Sequence, residues 1–325
     1  MAGDALPEPR FPRSLLAIVN PRAGNAAALA HLRDALSVAE RRGWSIDARG
    51  TLWPGHAWEM AAHAAAEGYG AVLVCGGDGT INEVVNGLAG SATALAVLPR
   101  GTANVWAREM RLPFAAERAI ALLDEGERRR VDLGRAGERY FLLLASAGID
   151  SAAVRAVSAA SARWKRESYL LAALRDALRH GGRAMELRIE GAGSEEQIAG
   201  RMLIAVISNT RLYGGVLRIA ARARIDDGLL DLCAYAGTGL RDLTRHALRT
   251  FAGRHIGARG VTYRQAPRIV LSAPEPVPVE ADGEHVGDTP LLFTAVPRAL
   301  TVIVPRGTRS PLFSAPAAPN SPAGA

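Results

Sequence analysis

A glycine-rich stretch with polar side chains runs from Gly76 to Glu83 and has the sequence Gly-Gly-Asp-Gly-Thr-Ile-Asn-Glu. Its glycines let the backbone approach a ligand closely, and free N–H groups at a helix start attract phosphate oxygens. Asp78 is the odd member, because a carboxylate beside a phosphate repels it unless a cation or a ribose hydroxyl lies between them. The stretch predicts a nucleotide site with a metal ion; a merely glycine-rich strand-to-helix turn is the alternative.

A second group of acidic residues, Asp282 and Glu284, flanks Gly283 near the end of the chain. Two carboxylates on one turn can face the same cleft, where their mutual repulsion could raise the pKa of one of them. Such a carboxylate can accept a proton from a reacting hydroxyl group. Asp-Gly is also a common turn signal, so this interpretation depends on the presence of the glycine-rich stretch.

Strands and helices must position these groups. The apolar run 71–75 is short enough for a buried parallel strand, and Ile81, Val84, Val85 and Leu88 follow at helical spacing, with Thr80 as the expected helix cap. Similar strand-turn-helix patterns begin at 15–19, 44–49 and 94–98. Together they predict an α/β domain with a parallel sheet and ligands at the carboxyl ends of the strands.

The pattern changes near residues 128–133, after which strands dominate and helices are expected only at about 151–180 and 239–252. Residues 191–194 have the composition of a hairpin turn. We expect an α/β nucleotide-binding domain at 13–133, a β-rich, mostly antiparallel sandwich-like domain at 134–305, and disordered tails at 1–12 and 306–325. The predicted strands of the second domain are 140–146, 184–190, 200–208, 229–235, 268–271, 277–280, 291–294 and 300–304.

The composition of the 325 residues, with 49% hydrophobic and 22% charged residues, is that of a folded soluble protein. A formal net charge of +7 favours an anionic partner, such as a membrane surface, nucleic acid or a nucleotide. Lys165 is the only lysine, which excludes a Walker-type phosphate-binding lysine. Cys75 and Cys233 are expected to be buried free thiols, and no apolar run has the length of a membrane span, so a cytoplasmic protein is predicted.

The Gly76–Glu83 stretch resembles the catalytic-domain signature of the diacylglycerol kinase and sphingosine kinase superfamily, most of all its soluble bacterial lipid kinases. NAD kinases share the Gly-Gly-Asp-Gly-Thr core, but residues 99–104 resemble the superfamily's Pro-x-Gly-Thr-Ala-Asn element, which argues against NAD kinase. Val105 stands where the family often has Asp. Residues 20–24 and 51–57 resemble its Asn-Pro-x-Ser/Ala-Gly and Thr-x-x-x-Gly-Asp/His-Ala segments, and His56 is expected to start a helix rather than to act in catalysis.

The resemblance implies which residues bind the nucleotide. They are Asn20, Pro21, Gly24, Thr51, Gly76, Gly77, Asp78, Gly79, Thr80, Asn82, Glu83, Gly101, Thr102 and Asn104. In the second domain, Asp227 with the carbonyl groups of Arg224 and Leu229 matches a structural magnesium site, for which a plain Asp-Gly turn is the alternative. Asp282-Gly283-Glu284 resembles the segment that supplies the catalytic base, with Glu284 as first choice, Asp282 acting with it, and Asp78 positioning the nucleotide.

Three further segments carry the resemblance less specifically. Asp150 follows a predicted strand and resembles the family's Gly-Phe-Asp element, although a helix cap explains it equally well. Asn209 and residues 213–215 resemble an Asn-x-x-x-Tyr-Gly-Gly segment that shapes the cleft. Residues 163–183 are basic and amphipathic, which suits an anionic membrane surface, with an ordinary core-packing helix as the alternative.

The resemblance as a whole implies an ATP-dependent lipid kinase that uses ATP and Mg²⁺ to phosphorylate a lipid hydroxyl, diacylglycerol-like or sphingoid-like. The expected partners are a lipid substrate at the membrane surface, bound peripherally, and a nucleotide, without nucleic acid; a homodimer is left open. Two alternatives are an NAD kinase-like enzyme and a catalytically silent module that senses a nucleotide or a lipid. The silent module would have lost a carboxylate either from the glycine-rich stretch at 76–83 or from the turn at 282–284. We call these two segments the acidic turns, and the carboxylates of both are present here.

Overall fold

The structure is a computed structural model that describes residues 11–23, 26–149, 181–191, 193–308 and 310–314, without the side chains of 26–30. The expected helix at about 151–180, Asp150, most of the basic stretch 163–183 and the predicted nucleotide-binding residue Gly24 lie outside these residues. The strands are β1 Ser14–Val19, β2 Ser45–Gly50, β3 Ala71–Gly76, β4 Ala94–Pro99, β5 Glu127–Ala136, β6 Arg139–Phe141, β7 Leu144–Gly148, β8 Arg183–Gly191, β9 Ser194–Ser208, β10 Leu230–Ala236, β11 Val261–Ala266, β12 Arg268–Ser272, β13 Pro278–Ala281, β14 Glu284–Asp288 and β15 Leu291–Val304. The described helices are α1 Ala26–Arg41, α2 His56–Ala66, α3 Asp78–Leu88, α4 Val105–Met110, α5 Ala116–Glu125 and α6 Leu240–Phe251.

The first half of the chain contains a parallel sheet, as the sequence predicts, and its strand order is β4-β3-β1-β2. Side chains alternate along each strand, so β1 places Leu15 and Ala17 in the apolar layer under α1 and α5. Leu16 and Ile18 enter the layer under α2, α3 and α4. Helices on both faces therefore bury β1, β3 and β4, which explains why these three strands are continuous apolar runs. The edge strand β2 is of mixed polarity and is partly or fully exposed.

The second half is β-rich and mostly antiparallel, which confirms the predicted fold class. Its central strands run in the order β14-β13-β7-β9-β8-β12-β15, and β10 pairs with β9 and β11. An apolar core of their inward-facing residues includes Phe141, Leu187, Ile207 and Phe293. The end of β15 then pairs in parallel with β4, Thr301 opposite Ala94, so the two halves are hydrogen-bonded into one continuous sheet.

Two parts of the second half differ from the sequence prediction. Residues 291–294 and 300–304, predicted as two strands, belong to the single strand β15, whose register with β5 shifts between Val296 and Leu300. Pro297 and Arg298, the latter with a φ of +53°, form an irregularity inside the strand rather than a loop. The predicted strand 140–146 is divided into β6 and β7. Strands β5, β11 and β14 were not predicted, because several of them carry exposed polar residues instead of a clear alternation.

The chain after Val304 also departs from the predicted disordered tail. Leu312 and Phe313 are buried, and the guanidinium group of Arg129 lies 3.6 Å from the Phe313 ring centroid. The backbone N–H of Ile225 donates to the carbonyl of Leu312 at 2.8 Å. This apolar pair therefore extends the folded part of the chain to residue 314.

Cys75 and Cys233 are buried free thiols, as expected. The helix predicted at 239–252 is α6, and the predicted turn at 191–194 connects β8 to β9. Among the described residues, none of the helices combines the length and the hydropathy that a membrane span requires.

Candidate active site

The residues that follow the four parallel strands meet at one edge of the sheet. The N–H of Asn20, just after β1, donates to Cys75 in β3 at 3.0 Å, and the N–H of Thr51, just after β2, donates to Val19 at 2.9 Å. The N–H of Arg100, just after β4, donates to Gly76 at 2.8 Å. The predicted nucleotide-binding segments are thus neighbours, because parallel strands bring their carboxyl ends to the same edge.

The glycine-rich stretch forms the end of β3 and the first turn of α3. The helix begins at Asp78 with Gly77 as its N-cap, so the prediction that Thr80 caps the helix was wrong. The Thr80 hydroxyl instead accepts a hydrogen bond from the Asn20 amide at 3.0 Å. An α-helix leaves the N–H groups of its first turn without acceptors inside the helix. In α3 this first turn includes Gly79, which is exposed.

Two glycines let the glycine-rich turn and the 100–104 loop touch. A Cβ atom on Gly101 would lie 2.6 Å from the Cα of Gly77, and one on Gly77 would lie 3.0 Å from the Cα of Gly101. The buried side chain of Asn104 holds the loop, because its amide donates to the Gly101 carbonyl at 2.7 Å and accepts from the Gly101 N–H at 2.8 Å. Asn104 thus stabilises the conformation of the loop, whereas Thr102 on the same loop is exposed.

The carboxylate of Asp78 faces the beginning of the neighbouring helix α4. Its Oδ1 lies 3.5 Å from the N–H of Trp106, and the N–H groups of Asn104 and Val105 also interact with it. Burial raises the pKa of Asp78, and these N–H groups oppose the increase. Asp78 therefore serves as an acceptor for the N–H groups at the start of α4, a role that the sequence did not predict.

Glu83 has a similar position at the start of α2. Its Oε2 accepts a hydrogen bond from the N–H of Ala57 at 3.1 Å. His56 is the first residue of α2, as predicted, and its Nδ1 accepts from the N–H of Leu52 at 3.1 Å while its ring stacks on Trp53 at 4.0 Å. Glu83 and His56 together fix the segment that follows β2.

The second acidic turn contacts the glycine-rich stretch directly. The partly buried Asp282 accepts hydrogen bonds from the N–H groups of Leu142, Leu143 and Leu144 at 2.7 to 3.0 Å. The amide of the buried Asn82 in α3, in the orientation that satisfies both its oxygen and its nitrogen, donates to Asp282 Oδ2 at 3.2 Å. Asp282 therefore connects α3 to the second half of the chain.

The pKa of Asp282 is raised to about 7, because burial and, to a smaller extent, the negative charge of Asp78 raise it by more than the three N–H donors lower it. The two carboxylates are therefore close enough for their charges to interact. This interaction brings the acidic members of both motifs into one electrostatic site.

Glu284 lies on the same turn but is more accessible, with 39% of its side chain exposed. Its Oε2 accepts a hydrogen bond from the guanidinium group of Arg139 at 2.7 Å. Arg139 in turn lies 5.0 Å from the ring centroid of Trp58 on α2. No local pattern in the sequence indicates Arg139, which is 145 residues away from Glu284 along the chain.

Two further residues of this site were missed by sequence reasoning. The buried Glu280 accepts hydrogen bonds from the Ser146 hydroxyl at 3.0 Å and from the N–H of Gly283 at 2.9 Å. Asn86 in α3 exchanges two hydrogen bonds of 2.9 Å with the backbone of Tyr140. A carboxylate within the apolar run 277–281 could have indicated the first, while Asn86 lies on a helix of mixed polarity and had no such signal.

The candidate metal residues Arg224, Asp227 and Leu229 lie in one turn before β10. Oδ1 of Asp227 accepts from the N–H of Leu229 at 3.0 Å. Burial raises the pKa of Asp227, and the neighbouring carboxylates of Asp132 and Asp226 raise it further. This excess of negative charge fits a cation, and one carboxylate with two carbonyl oxygens is a donor set that magnesium accepts.

Other contacts fix this turn. Asp132 accepts hydrogen bonds from Gly228 at 2.6 Å and Arg298 at 2.7 Å, and its own carbonyl accepts from Asn209 at 3.0 Å. Asn209 also donates to Leu142 at 3.0 Å, so it links the candidate metal turn to the backbone that holds Asp282. Among the described residues, no group of three His, Cys, Asp or Glu side chains is arranged to hold a metal ion.

Two family models match the chain. Residues 14–136 match the diacylglycerol kinase catalytic domain, and residues 144–304 match the YegS C-terminal NAD kinase beta sandwich-like domain. A diacylglycerol kinase of Bacillus subtilis strain 168 is 29% identical over 293 residues, which cover 89% of this chain and 95% of the relative.

A solved structure shows the same fold. The crystal structure of a diacylglycerol kinase from Bacillus anthracis strain Sterne superimposes with a TM-score of 0.69 at 20% identity, covering 91% of this chain and 98% of that one. A diacylglycerol kinase of Mycobacterium tuberculosis strain H37Rv is 33% identical over 307 residues, which cover 89% of this chain and 94% of the relative. With this identity over nearly the whole length of both proteins, the chain belongs to the diacylglycerol kinase family.

Proposed function

We propose that this protein is an ATP-dependent lipid kinase, which transfers the γ-phosphoryl group of ATP to the hydroxyl group of a lipid. The observation that carries the proposal is the contact between Asn82 in the glycine-rich helix and Asp282 in the acidic turn. A phosphate-binding helix start and a carboxylate turn on one site are the two parts that phosphoryl transfer to an alcohol needs. The names of the similar proteins support a lipid acceptor.

The nucleotide phosphates would lie against the first turn of α3. Its free N–H groups and the positive end of the helix favour anionic oxygens, and no atom lies within 4 Å of where a Cβ on Gly79 would be. Asn20 and Thr51 line the same sheet edge. Because the carboxylate of Asp78 is held by the start of α4, it can remain beside bound phosphates with its repulsion reduced.

Hydrogen bonds favour Glu284 over Asp282 as the proton acceptor. A carboxylate has about four lone-pair sites, and Asp282 already accepts from three N–H groups and the Asn82 amide. Within the described residues, Glu284 has a partner on Oε2, Arg139, which leaves Oε1 for a hydroxyl proton. We therefore assign Asp282 a positioning role.

The transfer itself then balances as follows. The lipid hydroxyl oxygen attacks the γ-phosphorus, the bond from that phosphorus to the bridging oxygen breaks, and ADP leaves with the bridging electron pair. The hydroxyl proton moves to Oε1 of Glu284. Arg139, which already contacts the same carboxylate, is near enough to help neutralise the transferred phosphoryl group.

Magnesium would have two roles in this proposal. Asp227 and the carbonyl oxygens of Arg224 and Leu229 would hold a structural ion, which relieves the repulsion among Asp227, Asp132 and Asp226. When bound with ATP, the metal neutralises phosphate charge. The buried free thiols suit a reducing compartment, and we place the enzyme in the cytoplasm, visiting a membrane peripherally.

The test is incubation of the purified protein with a total lipid extract, γ-labelled ATP and magnesium, followed by thin-layer separation of the products. A labelled lipid that disappears with Asp78→Asn is the expected result, and its mobility distinguishes diacylglycerol-like from sphingoid-like acceptors. In a parallel reaction, NAD replaces the lipid extract. Label in NADP with none in lipid would refute the proposal in favour of the NAD kinase-like alternative.

A further inference from the structure

Helix α6 packs on the body of the protein through polar side chains. Its buried members are His246 and Thr250. His246 Nε2 lies 2.9 Å from the carbonyl oxygen of Ala236, and the Thr250 hydroxyl lies 2.9 Å from that of Tyr235. The inner face of this helix is therefore held by these hydrogen bonds and by one apolar contact, Leu243 against Ile149 and Leu203, whereas a surface helix ordinarily turns its whole apolar face inward.

The opposite face carries large apolar residues. Leu240, Thr244, Leu248 and Phe251 follow one another at intervals of four, four and three residues, which aligns them along one side of the helix. We call these four residues the outer stripe. Leu240, Leu248 and Phe251 are 43%, 72% and 79% exposed. Single exposed apolar residues are ordinary, but an aligned row of them marks an interaction surface.

Arginines border the outer stripe. Arg241, Arg245 and Arg249 recur every four residues on the adjacent side of α6, and Arg241 and Arg245 are exposed. Arg254, just after the helix, is exposed as well. Asp242 is the only acidic residue in α6, and it forms an ion pair of 3.1 Å with Arg245. The surface around the stripe is therefore positively charged.

Three partners could cover the outer stripe: a second copy of the chain, residues 150–180, or a lipid surface. The positive charge beside the stripe favours one of them. A second copy of the chain, packed antiparallel against the stripe about a two-fold axis that lies in the interface and crosses α6 at a right angle, would place its arginine row beside that of the first copy. Residues 150–180 join the described chain near α6, since Ile149 shares an apolar cluster with Leu243 and the backbone of Gly181 lies against Thr238. That segment contains six Lys or Arg and three Asp or Glu, so it too has the same charge sign as the border of the stripe.

An anionic lipid surface has the complementary charge. We infer that α6 docks on an anionic membrane, with the outer stripe in the acyl boundary and the arginines of its border on the lipid phosphates. Interfacial helices bind through this combination of apolar side chains and basic neighbours. The inference deepens the proposed function and rests on it for its purpose, because a lipid kinase must meet its acceptor at a bilayer.

Vesicle flotation of the full chain tests this inference without nucleotide or acceptor. The vesicles contain phosphatidylcholine alone or with about one third phosphatidylglycerol. The double variant Leu248→Ser/Phe251→Ser is expected to weaken binding to anionic vesicles by at least about tenfold. Arg241→Gln/Arg245→Gln is expected to remove the preference for anionic vesicles, and salt should weaken wild-type binding. Phe114→Ser, at an apolar residue that is 50% exposed elsewhere, is the control and should bind as the wild type does.

Wild-type binding by the Leu248→Ser/Phe251→Ser variant would overturn the inference. So would light scattering that shows a wild-type dimer and a monomeric double variant, because the stripe would then bind a second copy. The two native thiols are buried, so a Leu248→Cys variant can be titrated with a thiol reagent on a low background. If the Leu248→Cys variant is monomeric and its new thiol does not react with the reagent in the absence of vesicles, the chain covers its own stripe. That result would also overturn the inference.

The failure of this inference can be distinguished from the failure of the proposed function. Phosphorylation of a short-chain diacylglycerol dispersed in detergent should survive in the Leu248→Ser/Phe251→Ser variant, because α6 contributes no residue to the proposed site. Turnover of the wild type in detergent, without any binding of the wild type to vesicles, would refute the docking role alone. Vesicle binding without turnover on any lipid would refute the lipid kinase alone.

Discussion

The contact between Gly77 and Gly101 gives a prediction whose size follows from the structure. In Gly101→Ala, the new Cβ would lie 2.6 Å from the Cα of Gly77 and 3.0 Å from Oδ1 of Asn104. Carbon atoms pack at about 3.5–4.0 Å, so the two loops must separate by about 1 Å. Both loops leave hydrogen-bonded neighbouring strands, which prevents an easy adjustment. We expect a loss of about 1–3 kcal/mol in the free energy of unfolding.

The same displacement should impair function, because a misplacement of about 1 Å in a positioned site can cost about 100-fold in rate. The matched control is Gly79→Ala, two residues away from Gly77, where an added Cβ meets no atom within 4 Å. Alanine at that position in the first turn of α3 should leave stability unchanged or raise it by about 0.4–1 kcal/mol. If the open space belongs to the phosphates, Gly79→Ala still weakens ATP binding.

Urea unfolding and calorimetric titration with ATP and magnesium separate the two effects. We expect Gly101→Ala to lose both stability and ATP affinity, and Gly79→Ala to lose ATP affinity alone. A Gly101→Ala variant that is as stable as the wild type would refute the packing argument. Unchanged ATP affinity in Gly79→Ala would show that the phosphates do not approach the start of α3.

Three other predictions concern the carboxylates. Glu284→Gln removes the proposed proton acceptor, so kcat should fall by about 10²–10⁴ while calorimetry shows an unchanged Kd for ATP; a raised KM with normal kcat would contradict it. Asp78→Ala should abolish turnover and also cost about 0.5–2 kcal/mol in urea unfolding, because the start of α4 loses its acceptor; a variant of wild-type activity would contradict the site assignment. The pKa of Asp282 is about 7 in the folded protein, above its unfolded value of about 3.9. Protonated Asp282 therefore stabilises the fold fully below about pH 4, and this stabilisation is lost as the pH rises to about 7. The difference in the free energy of unfolding between wild type and Asp282→Asn, measured by urea titration, should change between these pH values and stay constant above them.

The parallel half of the fold could be predicted because its signals are local. Each buried strand is a short apolar run followed by turn residues and a helical spacing, and the common edge of the sheet follows from that order alone. Strand β5 had no such signal, since it begins with the polar run 127–130 and is stabilised by pairing with β15, more than 150 residues later. Strand β15 was divided in the prediction because Pro297 interrupts its apolar pattern, and its register with β5 is a property of the folded sheet.

Many members of the candidate site, though not Arg139, Glu280 or Asn86, could also be named from the sequence, but most of their contacts could not. Strand ends predict that Asn20, Thr51 and Gly76 come together, and they do. The partners of Asp78 and Glu83, in contrast, are N–H groups at the starts of other helices, whose positions depend on the packing of the whole sheet. Arg139 could not be assigned to Glu284 by any pattern, because long-range pairs leave no trace in local spacing.

The carboxylates around the site share one arrangement, which bears on the choice of the base. Asp78, Glu83 and Asp282 each accept from backbone N–H groups. Glu109 does so too, from Arg211 at 2.9 Å and Leu212 at 2.7 Å. These N–H groups belong to helix starts and turns, so the carboxylates satisfy donors that would otherwise be buried without acceptors.

Asp282, which accepts from three backbone N–H groups and the Asn82 amide, has little capacity left to accept a proton from a substrate. Glu284 differs from these carboxylates. Within the described part of the chain, its hydrogen-bond partner is the side chain of Arg139 instead of a backbone N–H group. An arginine can exchange one anionic partner for another without any change in the fold, and an incoming phosphoryl group is such a partner. On this argument, substrate binding itself would release Glu284 to act as the base, and Arg139→Gln should raise the KM for ATP while Glu284→Gln lowers kcat. Steady-state kinetics of the two single variants measures both effects, and an identical loss confined to kcat in both would contradict the exchange.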